Sequence, residues 1–376
     1  MKELRHDDCD FERSSTVDQV GQVFRYQGRL FRAIHQPALA TALQAIELAE
    51  TQGWFDLGLI PTWRTNYQLA GYAAVIEHRR LPYVTVRGEW SGEGLRQAAL
   101  CYLRVAAALA RSQLCLKDSH PWNVLFERSN PYVIDWGSIR PVAELNWEFW
   151  YWQFRRYFLV PLYLFTHGQP ALARAMMREH IIGVGNILAD LPIVQHLPEA
   201  TASIFQRRHT LPVDKVFEAW ADYVSGIVLP KVAGEWADYE QPRFQGLTAL
   251  DRLRLKDRLL LNILQSDPGT TVLDIGCNLG VHSEMCAELG KRVVATDIEE
   301  SCLNDLFIRT VTSQRDVLTA YMNFLWPIGD SGVMNSLPPA SERLGGDTCL
   351  AMAFIHHLVF KHQIGFETFA WHLSKF

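Results

Sequence analysis

Over the first ~80 residues apolar and polar positions alternate in short runs, GQVFRYQGRLFRAI, WFDLGLIPTW and YAAVIEHRRLPYVTV, each closed by turn residues. That pattern predicts a small α+β lobe of short strands with one helix over residues 38–51. The period then changes. Leu95, Ala98, Leu100, Leu103, Val105 and Leu109 recur at helical spacing and predict a buried helix over residues 94–113. NVLF and YVID, parted by the polar ERSN, predict two further strands. Residues 148–232 read as mostly helical. Their aromatic cluster, Trp147, Phe149, Trp150, Trp152, Phe154, Tyr157 and Phe158, reads as a helix packing its core rather than a stacking platform.

The segment VAGEWADYEQPRFQGLTALDRLRLKDR mixes Gly, Pro and charge ahead of a fresh amphipathic helix, and divides the chain into regions 1–245 and 246–376. Beyond it, apolar runs at 272–275 and 293–297 flank a helical stretch at 281–290, a βαβ unit. Residues 321–324 and 349–357 predict a third and a fourth strand. A last helix is expected over 366–376.

Composition narrows the classes without choosing among them. A hydrophobic share of 48% with 20% charged residues is that of a globular chain able to bury cores in two domains. The net charge of -5 offers no general attraction for phosphate backbones, so a small-molecule or glycan partner is expected before nucleic acid. The seven cysteines form no C-x-x-C pair and read as reduced thiols of a cytoplasmic protein. The charged N-terminus lacks a secretory apolar stretch, and the most apolar segment, 157–166, is too short to span a bilayer and contains Pro161.

Candidate chemistry gathers at TVLDIGCNLG, where a strand gives way to a helix. Gly276 and Gly280 let backbone pass close to a ligand at the strand's carboxyl end. Asp274 suits the amino group of an aminocarboxylate, and Asp297 closes the second strand about 20 residues on, the place for a carboxylate on ribose hydroxyls. A nicotinamide dinucleotide would require G-x-G-x-x-G, but Asn278 and Val281 stand at two of its glycine positions. An acid at Asp274 would also repel a pyrophosphate. VLDIGCNLG and VVATD resemble the first and second motifs of class I S-adenosylmethionine-dependent methyltransferases. The resemblance implies a Rossmann-like α/β domain, Asn323 against adenine, and His356 or His357 facing the transferred methyl as a general base.

LKDSHPWNVLFERSNPYVIDWG sets Asp118 and Asn123 five residues apart, with Asp135 twelve further on. This resembles the catalytic and metal-binding loops of protein-kinase-like and aminoglycoside-phosphotransferase-like folds. It implies that Asp118 orients an acceptor hydroxyl while Asn123 and Asp135 hold magnesium with ATP. No Gly-rich phosphate loop precedes the motif, and the early-strand base is Arg32 rather than Lys. From Glu89-Trp90-Ser91 through VIDWGS to WQFRRYFLVPL, and again at AFIHHLV, the chain is similar to a nodulation-protein-like bacterial methyltransferase family. Its members carry a kinase-like N-terminal region before the methyltransferase domain. That family usually reads Ala-Tyr where this chain has His120, Pro121 and Trp122, which keeps a nucleotide-binding role open. The family also continues past the His-His strand, so the resemblance implies a C-terminally truncated chain with an incomplete sheet, or one completed by a partner chain. The readings carried forward are a methyltransferase, an ATP-dependent phosphotransferase or nucleotide-binding regulator, and an inactive interaction protein.

Overall fold

In the computed structural model, which describes residues 2–13, 15, 18–178, 197, 199–231, 244–247, 253–332 and 335–376, the period-two runs form a five-stranded antiparallel sheet. Its order is β2 (Asp10–Phe11), β3 (Gly21–Tyr26), β4 (Arg29–Ile34), β7 (Ala74–His78) and β5 (Thr62–Arg64). β1 (Lys2–Leu4) pairs in parallel with β6 (Tyr67–Leu69). The β3–β4 hairpin turns on Gln27 and Gly28 at φ 50° and 76°, the left-handed conformation that a two-residue connection between right-twisted strands requires. α1 (Leu39–Thr51) follows β4 and buries Ala45, Ile46 and Ala49.

α2 (Gly92–Arg111) starts where Ser91 Oγ accepts the Gly94 N–H at 3.1 Å, an N-cap bond. Sixteen of its twenty residues are buried, so it needs neighbours on almost every side. They are β8 (Leu114–Leu116), the hairpin of β9 (Val124–Glu127) and β10 (Asn130–Val133), and helices described below. β8 pairs with β11 (Ile139–Pro141). These ladders set the loop after β8 beside the loop before β11.

The aromatic run forms α3 (Trp147–Phe154), a π-helical turn over Arg155–Leu159, and α4 (Val160–Thr166). Pro161 has no N–H to return to the Tyr157 carbonyl and its ring crowds that oxygen, and the helix widens just there. α5 (Pro170–Arg178), α6 (Glu199–Gln206) and α7 (Val213–Ser225) follow. Trp150, Phe154 and Phe158 are fully buried beside Trp220 of α7 and the Tyr102 ring of α2. Phe149 and Trp152, by contrast, stack on each other at the surface, 43% and 45% exposed. Most of the segment proposed as the boundary lies outside the described residues.

α8 (Leu255–Ser266) leads into a four-stranded parallel sheet of order β14 (Val317–Tyr321), β13 (Arg292–Asp297), β12 (Thr271–Ile275), β15 (Thr348–Leu350). α9 (Val281–Glu288) joins β12 to β13, α10 (Glu300–Ser313) joins β13 to β14, and α11 (Ala340–Arg343) precedes β15. α12 (Ile355–His362) and α13 (Phe366–Leu373) end the chain. Alternation gives the sheet two apolar faces. Val272, Val293, Ala295 and Val317 pack with Leu261 and Met285, whereas Leu273, Ile275, Val294 and Leu318 join the cluster that holds α2. One core therefore crosses from the first region into the second.

Two strand expectations are corrected. The third strand is Val317–Tyr321 rather than 321–324, because VLTAY carries the alternation and Asn323 already lies in a turn. The fourth is Thr348–Leu350 and shares only Cys349 and Leu350 with the expected 349–357. Ala353 turns left-handed at φ 55° and breaks the ladder, so His356 and His357 begin a helix instead of ending a strand. The seven cysteines are unpaired. No helix among the described residues is long and apolar enough to cross a membrane.

The regions meet through buried charge as well as apolar surface. Arg343 of α11 donates to both Glu89 oxygens, at 2.5 and 3.0 Å, with the two side chains 4% and 1% exposed. Glu300 Oε1 accepts the Gly92 N–H at 2.5 Å, Asn304 Oδ1 accepts the Glu93 N–H at 2.8 Å, and Ser129 and Thr310 share a hydroxyl bond of 2.6 Å. Replacing Glu89 by Gln leaves the Arg343 guanidinium buried without a counter-charge. A loss of about 3 to 5 kcal/mol is expected. It reads as a lower urea midpoint, and a midpoint equal to that of the unmodified chain contradicts the buried-pair account.

Candidate functional site

The order of the parallel sheet reverses at β12, with β13 paired on one edge and β15 on the other. Crevices outside the carboxyl ends of strands at such a reversal are where open α/β sheets bind ligands. The turn after β12 has Gly276, Asn278 and Gly280 at φ 68°, 50° and 73°. Glycine is required at both ends of that turn. A Cβ on Gly276 would stand 2.8 Å from the Phe354 ring, and one on Gly280 2.5 Å from the Leu306 side chain. Asn278 tolerates the left-handed conformation, and its Oδ1 accepts the Leu279 N–H at 2.8 Å.

Asp297 links this turn to the next one. Its Oδ2 accepts the Asn278 N–H at 2.7 Å, and its Oδ1 accepts the N–H groups of Ile298 and Glu299 at 2.7 and 2.9 Å. Burial pushes the Asp297 carboxyl above its ordinary value, and the three N–H donors only partly oppose that. Asp274 lies beneath the turn, 1% exposed, with Ser283 Oγ donating to it at 2.6 Å. Its carboxyl is also raised, by burial first, against the opposing pull of His282 and Ser283. His282 Nε2 stands 2.9 Å from Asp257 Oδ1, and Arg254 Nε donates to the same carboxylate at 2.8 Å. Burial works to raise Asp257, but those hydrogen bonds outweigh it and hold the carboxyl low.

The structure thus brings Asp274, Gly276, Asn278, Gly280 and Asp297 to one place. Asn323 lies on the adjoining turn: the Met322 N–H reaches the Asp297 carbonyl at 3.0 Å, while Asn323 Oδ1 accepts the Leu325 N–H at 3.0 Å. His356 and His357 stand apart from the strand ends on α12, their ring centroids 3.8 Å apart and His356 exposed. Phe354, rather than either histidine, lies against Gly276. Phe354, His282 and Ser283 were missed in the sequence. For the last two the available signal was their place in the first turn of the helix that the Gly turn opens.

In the first region the three spaced residues also converge. The Asp118 N–H donates to Ser138 Oγ at 2.9 Å, and the Ile134 N–H donates to the Asn123 carbonyl at 2.9 Å. Asp135 Oδ1 accepts the Gly137 N–H at 2.9 Å. Arg32 of β4 pairs with Asp18 and comes within 3.5 Å of Asp135, whose carboxyl is raised chiefly by burial, against the lowering effect of Arg32. Asn123 Nδ2 and His120 Nδ1 are buried without hydrogen-bond partners. Burial presses the His120 imidazole down to about 4. Among the described residues no group of three or more His, Cys, Asp or Glu could hold a metal ion. A concavity of about 200 Å³ opens between Val20, Ala45 and Trp136, and one of about 450 Å³ between Tyr163 and Tyr223. Neither includes the candidate residues of either site.

No family model matches the chain. It is similar to the nodulation protein NoeA of Rhizobium meliloti (strain 1021), 27% identical over 391 aligned residues that cover 94% of this chain and 80% of that protein. The likeness runs through both regions and supports a NoeA-like family.

The raised Asp274 carboxyl makes a pH-dependent liability. In the unfolded chain an aspartate ionises near 3.8, but in the folded chain only at higher pH, so stability falls as pH rises through the interval between the two. Asp274→Asn is expected to reduce that slope, since Asp297 and Asp135 still contribute to it, and to raise the melting temperature at neutral pH. Melting curves from pH 4 to 8 that keep the same slope in the variant would contradict the assignment.

Proposed function

We propose that the chain is an S-adenosylmethionine-dependent methyltransferase, with a class I, Rossmann-like donor domain behind a kinase-like N-terminal region. The observation that carries the reading is the Asp297 carboxylate at the end of the second parallel strand, tied through the Asn278 N–H to a turn that only glycine fits. A carboxylate set there is placed for the two hydroxyls of a ribose. Three backbone N–H donors orient it in advance of any ligand. Asp274 supplies negative charge beneath the turn, which disfavours a pyrophosphate and suits a cationic amino-acid group. Asn323, on the neighbouring turn, is proposed at the adenine edge.

S-adenosylmethionine, when bound, supplies a methyl group on a sulfonium that is ready for in-line displacement. What remains for the protein is to hold donor and acceptor in near-attack geometry and to keep water out. A base is needed only where the acceptor must shed a proton. His357, half-buried at the start of α12, is proposed for that task ahead of His356, which lies in solvent. A small-molecule or glycan acceptor is proposed on the net charge of -5.

A second reading, nucleotide binding in the first region, is favoured by the convergence of Asp118, Asn123 and Asp135 and by the unpartnered Asn123 Nδ2. Asn123 and Asp135 fit magnesium only if phosphate oxygens complete its shell, as is usual for that ion. Calorimetric titration with magnesium-ATP is expected to give a heat that Asp135→Ala abolishes without changing donor affinity. No heat in the unmodified chain would leave these residues as turn caps.

Titration with S-adenosylhomocysteine tests the first reading. Binding is expected, and Asp297→Ala should weaken it by roughly 1.5 to 3 kcal/mol, the range for hydrogen bonds to a charged group. A folded chain that takes up no S-adenosylhomocysteine refutes the proposal.

A further inference from the structure

The helix that follows one strand of the candidate ribose site and the end of the other strand meet one side chain from the first region. Arg174 of α5 is 6% exposed, and its guanidinium, whose Nη1 also lies 3.4 Å from the Gly88 carbonyl, has three closer partners. Nη2 donates to Glu300 Oε2, Nη1 donates to the Trp90 carbonyl, and the guanidinium carbon lies 3.9 Å above the Tyr321 ring. Glu300 begins α10 three residues after Asp297, beyond the turn whose N–H groups grip the Asp297 carboxylate. Tyr321 is the last residue of β14 and the register partner of Asp297, and Asn323 follows it by two. The same guanidinium therefore holds the turn behind Asp297 by charge and the strand end before Asn323 by ring contact.

We propose that Arg174 is a positioning residue of the donor site, setting from the N-terminal region the separation between the turns that carry Asp297 and Asn323. The inference rests on the donor reading above. Its physical content is that the gap between β13 and β14 at their carboxyl ends is closed by backbone pairing only as far as Asp297 and Tyr321. Past that point the chains diverge, and the Met322 N–H on the Asp297 carbonyl is the bond between them. A rigid, planar cation bridging Glu300 and Tyr321 fixes the remainder. Lysine, a point charge on a flexible stem, would satisfy Glu300 without spreading over the ring.

The test is calorimetry on the full chain with S-adenosylhomocysteine and with 5′-methylthioadenosine, which keeps the nucleoside and lacks the amino-acid half. Arg174→Gln is expected to weaken both ligands by a similar factor, roughly five- to thirtyfold, since the loss lies in the nucleoside half. Arg174→Lys should recover part of it. Glu89→Gln breaks the neighbouring joint and measures general loosening; equal weakening by that variant overturns the positioning role. Should Arg174→Gln fail to fold, Tyr321→Leu removes the ring and keeps the ion pair. It too is expected to weaken both ligands severalfold, and unchanged affinity there overturns the proposal. Unmodified protein that binds neither ligand overturns the donor reading and this inference together. Binding that Asp297→Ala weakens and Arg174→Gln does not overturns this inference alone.

Discussion

A carboxylate removed from water must find donors and opposite charge or lose its proton, and Glu300 is 7% exposed. It stands at the N-terminus of α10, where its own helix dipole already favours an anion. It also reaches outward, to the Gly92 N–H at the N-terminus of α2 and to Arg174. One negative group thus serves the starts of two helices from different regions. Separating the regions would leave Glu300, Arg174, Glu89 and Arg343 to be resolvated or stranded, and would expose the face of the parallel sheet that completes the α2 core. The parallel sheet and the N-terminal helices are best understood as halves of one packing problem.

The two candidate sites hang on that frame from the two regions it joins. The helix begins at the joint with α10, and the chain returns along it through β8, so that Trp122 of the Asp118 loop lies 3.9 Å from the Arg87 guanidinium just ahead of the helix. In the second region, Asp297 lies three residues before Glu300. Neither site depends on a long unsupported loop. The turn after β12 is pinned by Asp297 and by the bond from Arg309 to the Leu279 carbonyl, and the turn at Asp135 by Gly137 and the Arg32 pair.

Features that sequence could disclose were those set by local geometry. Gly276, Gly280 and Asp297 were legible because a left-handed turn without room for a Cβ admits few residues, and because strand length fixes where the second acid falls. Asp118, Asn123 and Asp135 were legible for the same reason, since two short ladders bring their loops together at fixed spacing. The fourth strand was misjudged because AMAFI is apolar throughout and nothing in the residue type announces that Ala353 turns left-handed. Long-range partners left no trace either. Glu89 and Arg343 lie 254 positions apart, and Arg174 and Glu300 lie 126 apart. A composition shift suggested a boundary, but it carried no information about a core that both sides share.

The burial of α2 on nearly all sides has a consequence for how such chains can diverge. Its faces serve α7, the β9–β10 hairpin, β8 and α10 at once. A single inserted residue would turn everything downstream by roughly 100° and slide it about 1.5 Å, which mismatches several contact surfaces together. Lengthening by a whole turn would restore the faces but shift the downstream contacts along the axis by about 5.4 Å. Among relatives that keep this architecture, insertions and deletions should therefore accumulate outside residues 92–111. The length of this one helix acts as a molecular ruler, and it is the dimension of the protein least free to drift.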